Sequence, residues 1–121
     1  MWGDDSCFES HANQPRATLI DCCSGGWHKG HMGGNNYEAP HHLSDLVIWN
    51  FTATEIGNSN YTWWDNGSWR FLPPVIAGFK GGVTFPEDQA YLIDTGGVES
   101  LFESQLVDRL GTLPGWLEEL K

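Results

Sequence analysis

Three short apolar runs, "ATLIDCC" (17–23), "DLVIWNFTAT" (45–54) and "PVIAGF" (74–79), align on Ile20, Ile48 and Ile76, so that one equal step along the chain separates each from the next. A run this short cannot cover its own apolar face. Stacking each run on the next covers it, which is the physical basis of repeat architectures. A repeat of this length holds two or three short strands joined by turns, as in a right-handed parallel β-helix. A fourth run, "AYLID" (90–94), follows. The spacing therefore predicts a mainly β chain built of terminal coils of such a helix, with coils over about 6–95.

Between the runs lie turn-forming strings: "SGG", "GHMGGNN", "IGNSN", "WDNGS", "LPP", "KGG" and "TGG". Gly and Asn tolerate positive φ, so corners cost little there. The string "DNG" (65–67) also suits a tight hairpin, and a hairpin points instead to a β-sandwich or jelly roll. With 121 residues, 15 glycines, 6 prolines and 7 tryptophans, the composition fits one loop-rich β domain rather than a helical bundle or a disordered chain.

The last quarter changes period. In "SLFESQLVDRLG" (100–111), Ser100 and Glu103 make a capping-box pattern. Leu101, Phe102, Gln105, Leu106, Arg109 and Leu110 recur at helical spacing, and Gly111 ends the run. Pro114 blocks simple continuation, and Trp116 and Leu117 are expected to anchor the tail. The helix and tail (98–121) are expected to cap the stack by covering its open edge. At the other end, uncovered backbone and apolar groups near Phe8 and Leu19 are expected to promote self-association.

Sixteen acidic against six basic residues give a formal charge of −10, without a Lys/Arg run. Nucleic acid is a poor partner for such a chain, because its binding depends on neutralising phosphates. Neutral glycans and cations suit the charge better. No apolar stretch approaches the roughly 20 residues of a membrane span, and "MWGDDSCFES" has neither the basic nor the apolar region of an export signal, so neither a membrane nor a signal peptide is expected. Cys7, Cys22 and Cys23 are odd in number; free, buried thiols are expected, with a bridge from Cys7 to Cys22 or Cys23 as the alternative.

The stretch "GGWHKGHMGGNNYEAPHHLSD" (25–45) carries four of the five histidines. His28, His31, His41 and His42, with Glu38 and Asp45 nearby, supply enough donors for zinc or copper, and Asp and Asn oxygens could hold calcium. Neither H-E-x-x-H nor a Cys/His finger pattern is present. Adjacent histidines on a strand face opposite ways, so at most one of His41 and His42 could join the others. No cofactor is required by this pattern. For polysaccharide cleavage, a lyase would draw its base from Lys29, His28, His31 or Tyr37, and a hydrolase would draw two carboxylates from Glu38, Asp45, Glu55 and Asp65. The structural alternative is a long turn held by side-chain hydrogen bonds at the corner of a coil.

A second group, "NYTWWDNGSWRF" (60–71), offers a glycan platform. Trp63, Trp64 and Trp69 supply stacking faces, and Asp65, Asn66 and Arg70 supply hydrogen bonds to hydroxyls. If the segment is extended, Trp63 and Trp64 face opposite ways, one into the core and one outward.

The strings "CCSGGWHKGHMGGNNYEAPHHLSDLVIWNFTAT", "PVIAGFKGGVTF", "SLFESQLVDRLG" and "LPGWL" together resemble a bacterial domain family of unknown function found at the C-terminal end of right-handed parallel β-helix proteins. The resemblance runs from about Cys7 to Leu117. It implies an extracellular or periplasmic, polysaccharide-associated parent whose upstream coils would be partners of this domain, and it carries over no catalytic residues. Without those coils, the chain is expected to be a fragment or truncated relative. The resulting expectation is a C-terminal β-helix domain of a carbohydrate-active protein that supports or contributes to polysaccharide binding. The alternatives are a lyase or glycoside hydrolase using the His28, Lys29 and His31 loop, and a purely structural cap.

Overall fold

A computed structural model describes residues 7–8, 17–27, 45–54, 59–63 and 72–120. Among them the strands are β1 (Cys7–Phe8), β2 (Leu19–Asp21), β3 (Ser24–Trp27), β4 (Val47–Trp49), β5 (Thr52–Ala53), β6 (Ser59–Asn60), β7 (Val75–Ala77), β8 (Val83–Thr84) and β9 (Tyr91–Ile93). The helices are α1 (Leu101–Leu110) and α2 (Gly115–Leu120). The strands form three small sheets, ordered β2-β4-β7-β9, β1-β3-β5 and β6-β8. Every strand pairing among the described residues is parallel. Parallel pairing removes the antiparallel sandwich or jelly-roll alternative for these residues; the "DNG" string lies outside them.

The register follows the repeat. Ile20 pairs with Ile48 and Ile48 with Ile76, so the chain twice returns to the same sheet after the same step. The last return is shorter, since Ile76 pairs with Leu92.

The corners explain why the strands are so short. Ala17 and Asp45, one repeat apart, hold φ of 56° and 58° before β2 and β4, and Cys22, Asn50 and Gly78, related by the same step, hold φ of 50°, 49° and 63° after β2, β4 and β7. A left-handed residue at a corner turns the backbone sharply out of the strand. Hydrogen bonding continues around the corner: Cys22 N donates to Trp49 O and Asn50 N to Ala77 O, both at 2.9 Å. Gly78 is required for more than its φ. A Cβ there would run into Asn50 Oδ1 and lie 2.8 Å from Thr95 Cγ2.

Inside the corners, alternate residues point to a common core. Ile48 (0% exposed) and Ile76 (1%) form its aliphatic column with Leu46 and Val83, and Trp27, Phe51, Tyr61 and Trp63 form its aromatic part. Trp27 meets Phe51, Tyr61, Phe79 and Phe85 edge to face at centroid distances of 5.1 to 5.7 Å. Phe51 stacks on Phe79, its counterpart in the next rung, at 5.8 Å, and Trp63 stacks on Phe85 at 6.2 Å. Each such buried side chain contributes about 1.5–3 kcal/mol by leaving water. Buried Gln89 accepts from Trp63 N at 2.7 Å through its Oε1, which satisfies a backbone donor inside the core.

The C-terminal arm departs from the expected cap. After β9, Thr95 lies beside Gly78. Val98 O accepts from Trp49 Nε1 at 3.0 Å, Glu99 O accepts from Asn50 Nδ2 at 2.6 Å and from Cys22 Sγ at 3.0 Å, and Ser100 Oγ donates to Asp21 Oδ2 at 2.7 Å. The chain thus runs back as a strap across three rungs, from the β7 corner to the β2 corner. There α1 begins, with Ser100 as N-cap and Gly111 (φ 78°) ending it as the sequence predicts. Neither α1 nor α2 has a buried residue, and Trp116 is 53% exposed rather than anchored. The edge strand β9 stays uncovered, with Tyr91, Leu92 and Ile93 56%, 55% and 49% exposed. The physical reason is the latch: donors at a helix N-terminus seek a carboxylate, and Asp21 stands at the far end of the strap.

Candidate functional site

Side-chain alternation puts polar residues on the outside of the rungs. Cys23, Phe51 and Phe79 turn inward; Ser24, Thr52 and Lys80, next to them in the chain, are exposed. Ser24 pairs with Thr52, and Thr52 bridges Lys80 in parallel, so the three form one outward column that follows the repeat. Neighbouring rungs of a sheet lie about 4.8 Å apart. Beside this column, exposed Asn60 and Thr84 are paired by register, and Thr84 Oγ1 lies 2.6 Å from Asn60 Oδ1.

One shallow groove borders the column, and a second begins at Gly81, the residue after Lys80. One, of about 280 Å³, is lined on the rung side by Ser24, Thr52 and Lys80, in the corner by Asn50, and on the strap side by Glu99. The other, of about 470 Å³, is lined by Ser59, Asn60, Gly81, Gly82 and Thr84. Together they present hydroxyl, amide, ammonium and carboxylate groups suited to multiple hydrogen bonds.

A third groove, of about 720 Å³, lies where the strap reaches β2, lined by residues that include Asp21, Cys22, Phe102 and Glu103. Here the Asp21 carboxylate accepts from Ser100 Oγ, from Phe102 N at 2.9 Å and from Leu101 N at 3.2 Å, filling the N-terminus of α1. Charge-assisted bonds of this kind are worth about 1.5–3 kcal/mol each. The adjacent Cys22 thiol is raised from 9.0 to about 11, first by desolvation at the corner and then by the charge and hydrogen bond of Asp21 and the charges of Glu99 and Glu103. It is a poor nucleophile at neutral pH, since the thiolate is the reactive form. Cys22 and Cys23 are free thiols, Cys22 exposed and Cys23 half-buried, so the expectation of burial fails at Cys22, which occupies an outward corner.

Of the residues singled out in the sequence as site candidates, the structure describes two. Asp45 is an exposed corner residue with φ 58°, a conformation that Asp tolerates better than most residues, and it has a structural task there. Trp63 is 1% exposed and packs on Tyr61 and Phe85, so it belongs to the core and not to a sugar-stacking platform. His28, Lys29, His31, Tyr37, Glu38, His41, His42, Glu55, Trp64, Asp65, Asn66, Trp69 and Arg70 lie outside the described residues. Among those described, no group of three or more His, Cys, Asp or Glu is placed to hold a metal, and no helix is long and apolar enough to cross a membrane.

The polar column follows the same step as the isoleucines, a signal present in the sequence but masked by the variety of its residues. The same step applied to Ser24 reaches Thr52 and Lys80, and applied to Cys22 it reaches Asn50 and Gly78. Asp21 and Glu99 carried no such signal, since the strap alone brings their regions together.

The family model described as a domain of unknown function, DUF4955, matches residues 1–120. The chain belongs to that family. No curated protein and no solved structure matches it. Membership in DUF4955 spans nearly the whole chain and assigns no chemistry, so the geometry of the polar column and its grooves carries the functional reasoning.

Proposed function

We propose that this DUF4955 chain forms the C-terminal coils of a right-handed parallel β-helix in a carbohydrate-active protein of the periplasm or cell exterior, and that its polar outer face contributes to polysaccharide binding. Upstream coils of the same parent are its structural partners. The observation that carries the proposal is the outward column of Ser24, Thr52 and Lys80, held in register by parallel pairing and lining a polar groove. An extended glycan offers repeated hydroxyls, and an extended polar column offers repeated partners for them. The charge of −10 favours neutral glycans over polyanions. The segment with Trp64, Asp65, Asn66, Trp69 and Arg70, outside the described residues, is rich in the side-chain types that stack on sugar rings and bond their hydroxyls.

The test is retention of the purified chain in gels containing xylan, galactomannan or mixed-linkage β-glucan. Retention that falls when Lys80→Ala or Thr52→Ala is introduced, with unchanged circular dichroism, supports the proposal. No retention on any neutral glycan overturns it and leaves the purely structural role. Release of reducing ends or unsaturated products from the same glycans would instead assign catalysis to the chain.

A further inference from the structure

We infer that the groove between the corner column and the strap is a subsite for a single neutral sugar residue, with Glu99 on its strap-side wall and Asp21 among the residues that hold the strap in place. The inference rests on the glycan-binding proposal and deepens it.

The groove's volume of about 280 Å³ is at the small end for ligand sites, which suits one unit of a longer chain rather than a whole oligosaccharide. Its lining is chemically divided. Lys80 can only donate, Glu99 as a carboxylate can only accept, and Ser24 and Thr52 do both. A sugar hydroxyl both donates and accepts, so adjacent hydroxyls satisfy Glu99 and Lys80 together. A sugar carboxylate could pair with Lys80 but would meet repulsion from Glu99 and from Asp21 at the next corner.

Glu99 reaches this groove only because of the strap. Its carbonyl is held by Asn50 Nδ2 and Cys22 Sγ, and the following hydroxyl, on Ser100, is held by Asp21. The helices beyond add no buried residue that would fix it independently. Before it, Gly96 and Gly97 take φ of 62° and 81° with open space around them, while Val98 O accepts from Trp49 Nε1 at 3.0 Å and from Asn50 Nδ2 at 3.3 Å. The Asp21 latch completes this set of bonds at the far end of the strap, and the helical arm serves the sugar site rather than capping the stack.

The experiment compares wild type, Lys80→Ala, Glu99→Gln, Asp21→Asn and the milder Ser100→Ala in affinity gels with the same neutral glycans and with polygalacturonate. The rate at which a thiol reagent modifies Cys22, divided in each variant by the thiolate fraction from that variant's own Cys22 titration, reports strap position. Wild type should bind neutral glycan more tightly than polygalacturonate. Glu99→Gln and Asp21→Asn should each weaken neutral-glycan binding about tenfold, a loss comparable to that of Lys80→Ala. Asp21→Asn, and Ser100→Ala to a smaller degree, should speed Cys22 modification while the near-ultraviolet dichroism of the tryptophan core stays unchanged. If Lys80→Ala weakens binding and both Glu99→Gln and Asp21→Asn bind as wild type, the subsite is wrong and the glycan proposal stands. Tighter binding of polygalacturonate overturns the neutral-sugar assignment, and a wild type that binds no glycan removes both proposals together.

Discussion

The two outer strands of the four-stranded sheet face different surroundings although they extend one ladder. Leu19, Ile20 and Asp21 of β2 are half-buried, and the strap and the start of α1 lie against their corner. Tyr91, Leu92 and Ile93 of β9 are about half exposed, and the apolar groove beside them leaves Phe79 and Phe85 only partly covered. Between them, Ile48 and Ile76 are fully enclosed. Burial in a parallel ladder thus comes from the rungs on either side, and a polar latch, rather than an apolar helix face, decides which end the arm reaches.

The sharpest way to break this comparison is to truncate the same column at its middle and at its end. Ile48→Ala should cost about 2–5 kcal/mol in denaturant unfolding, whereas Leu92→Ala should cost below about 1 kcal/mol; equal losses would show that β9 is as enclosed as β4. Gly78→Ala comes next. Its φ of 63° and the crowding against Asn50 and Thr95 should lower stability by about 2–3 kcal/mol, and a neutral result would mean the strap does not press on the corner column.

Removing the latch should be milder. Asp21→Asn weakens charge-assisted bonds to three donors, with an expected loss of about 1–2 kcal/mol and faster proteolytic cleavage within 94–100. Unchanged cleavage would show that α1 is held by something other than Asp21. The smallest effect is in alkaline pH. Because folding raises the Cys22 thiol from 9.0 to about 11, the protonated thiol favours the folded state, and that contribution is complete below pH 9 and lost as pH rises to about 11. Cys22→Ser should flatten the pH dependence of stability in that window only.

Much of the rung structure was legible in the sequence. The Ile20, Ile48 and Ile76 spacing matched the observed register, because a stacked repeat must place equivalent residues over one another. The helix limits at Ser100 and Gly111 were legible as well, since capping is local chemistry. Trp63 and Trp64 show the limit of such reasoning: alternation says that neighbours face opposite ways, but not which one faces in, and burial among Trp27, Tyr61 and Phe85 settles it for Trp63.

What the amino-acid order determined by itself was therefore the repeat, its turn-rich corners and the position of α1, all of which depend on neighbours in the chain or on a constant step along it. The tertiary structure alone decided the course of the strap, the meeting of Asp21 with Ser100 and the groove shared by Lys80 and Glu99. Asp21 and Ser100 stand far apart in the chain and follow no period, so only the packed rungs bring the carboxylate to the helix terminus that it satisfies.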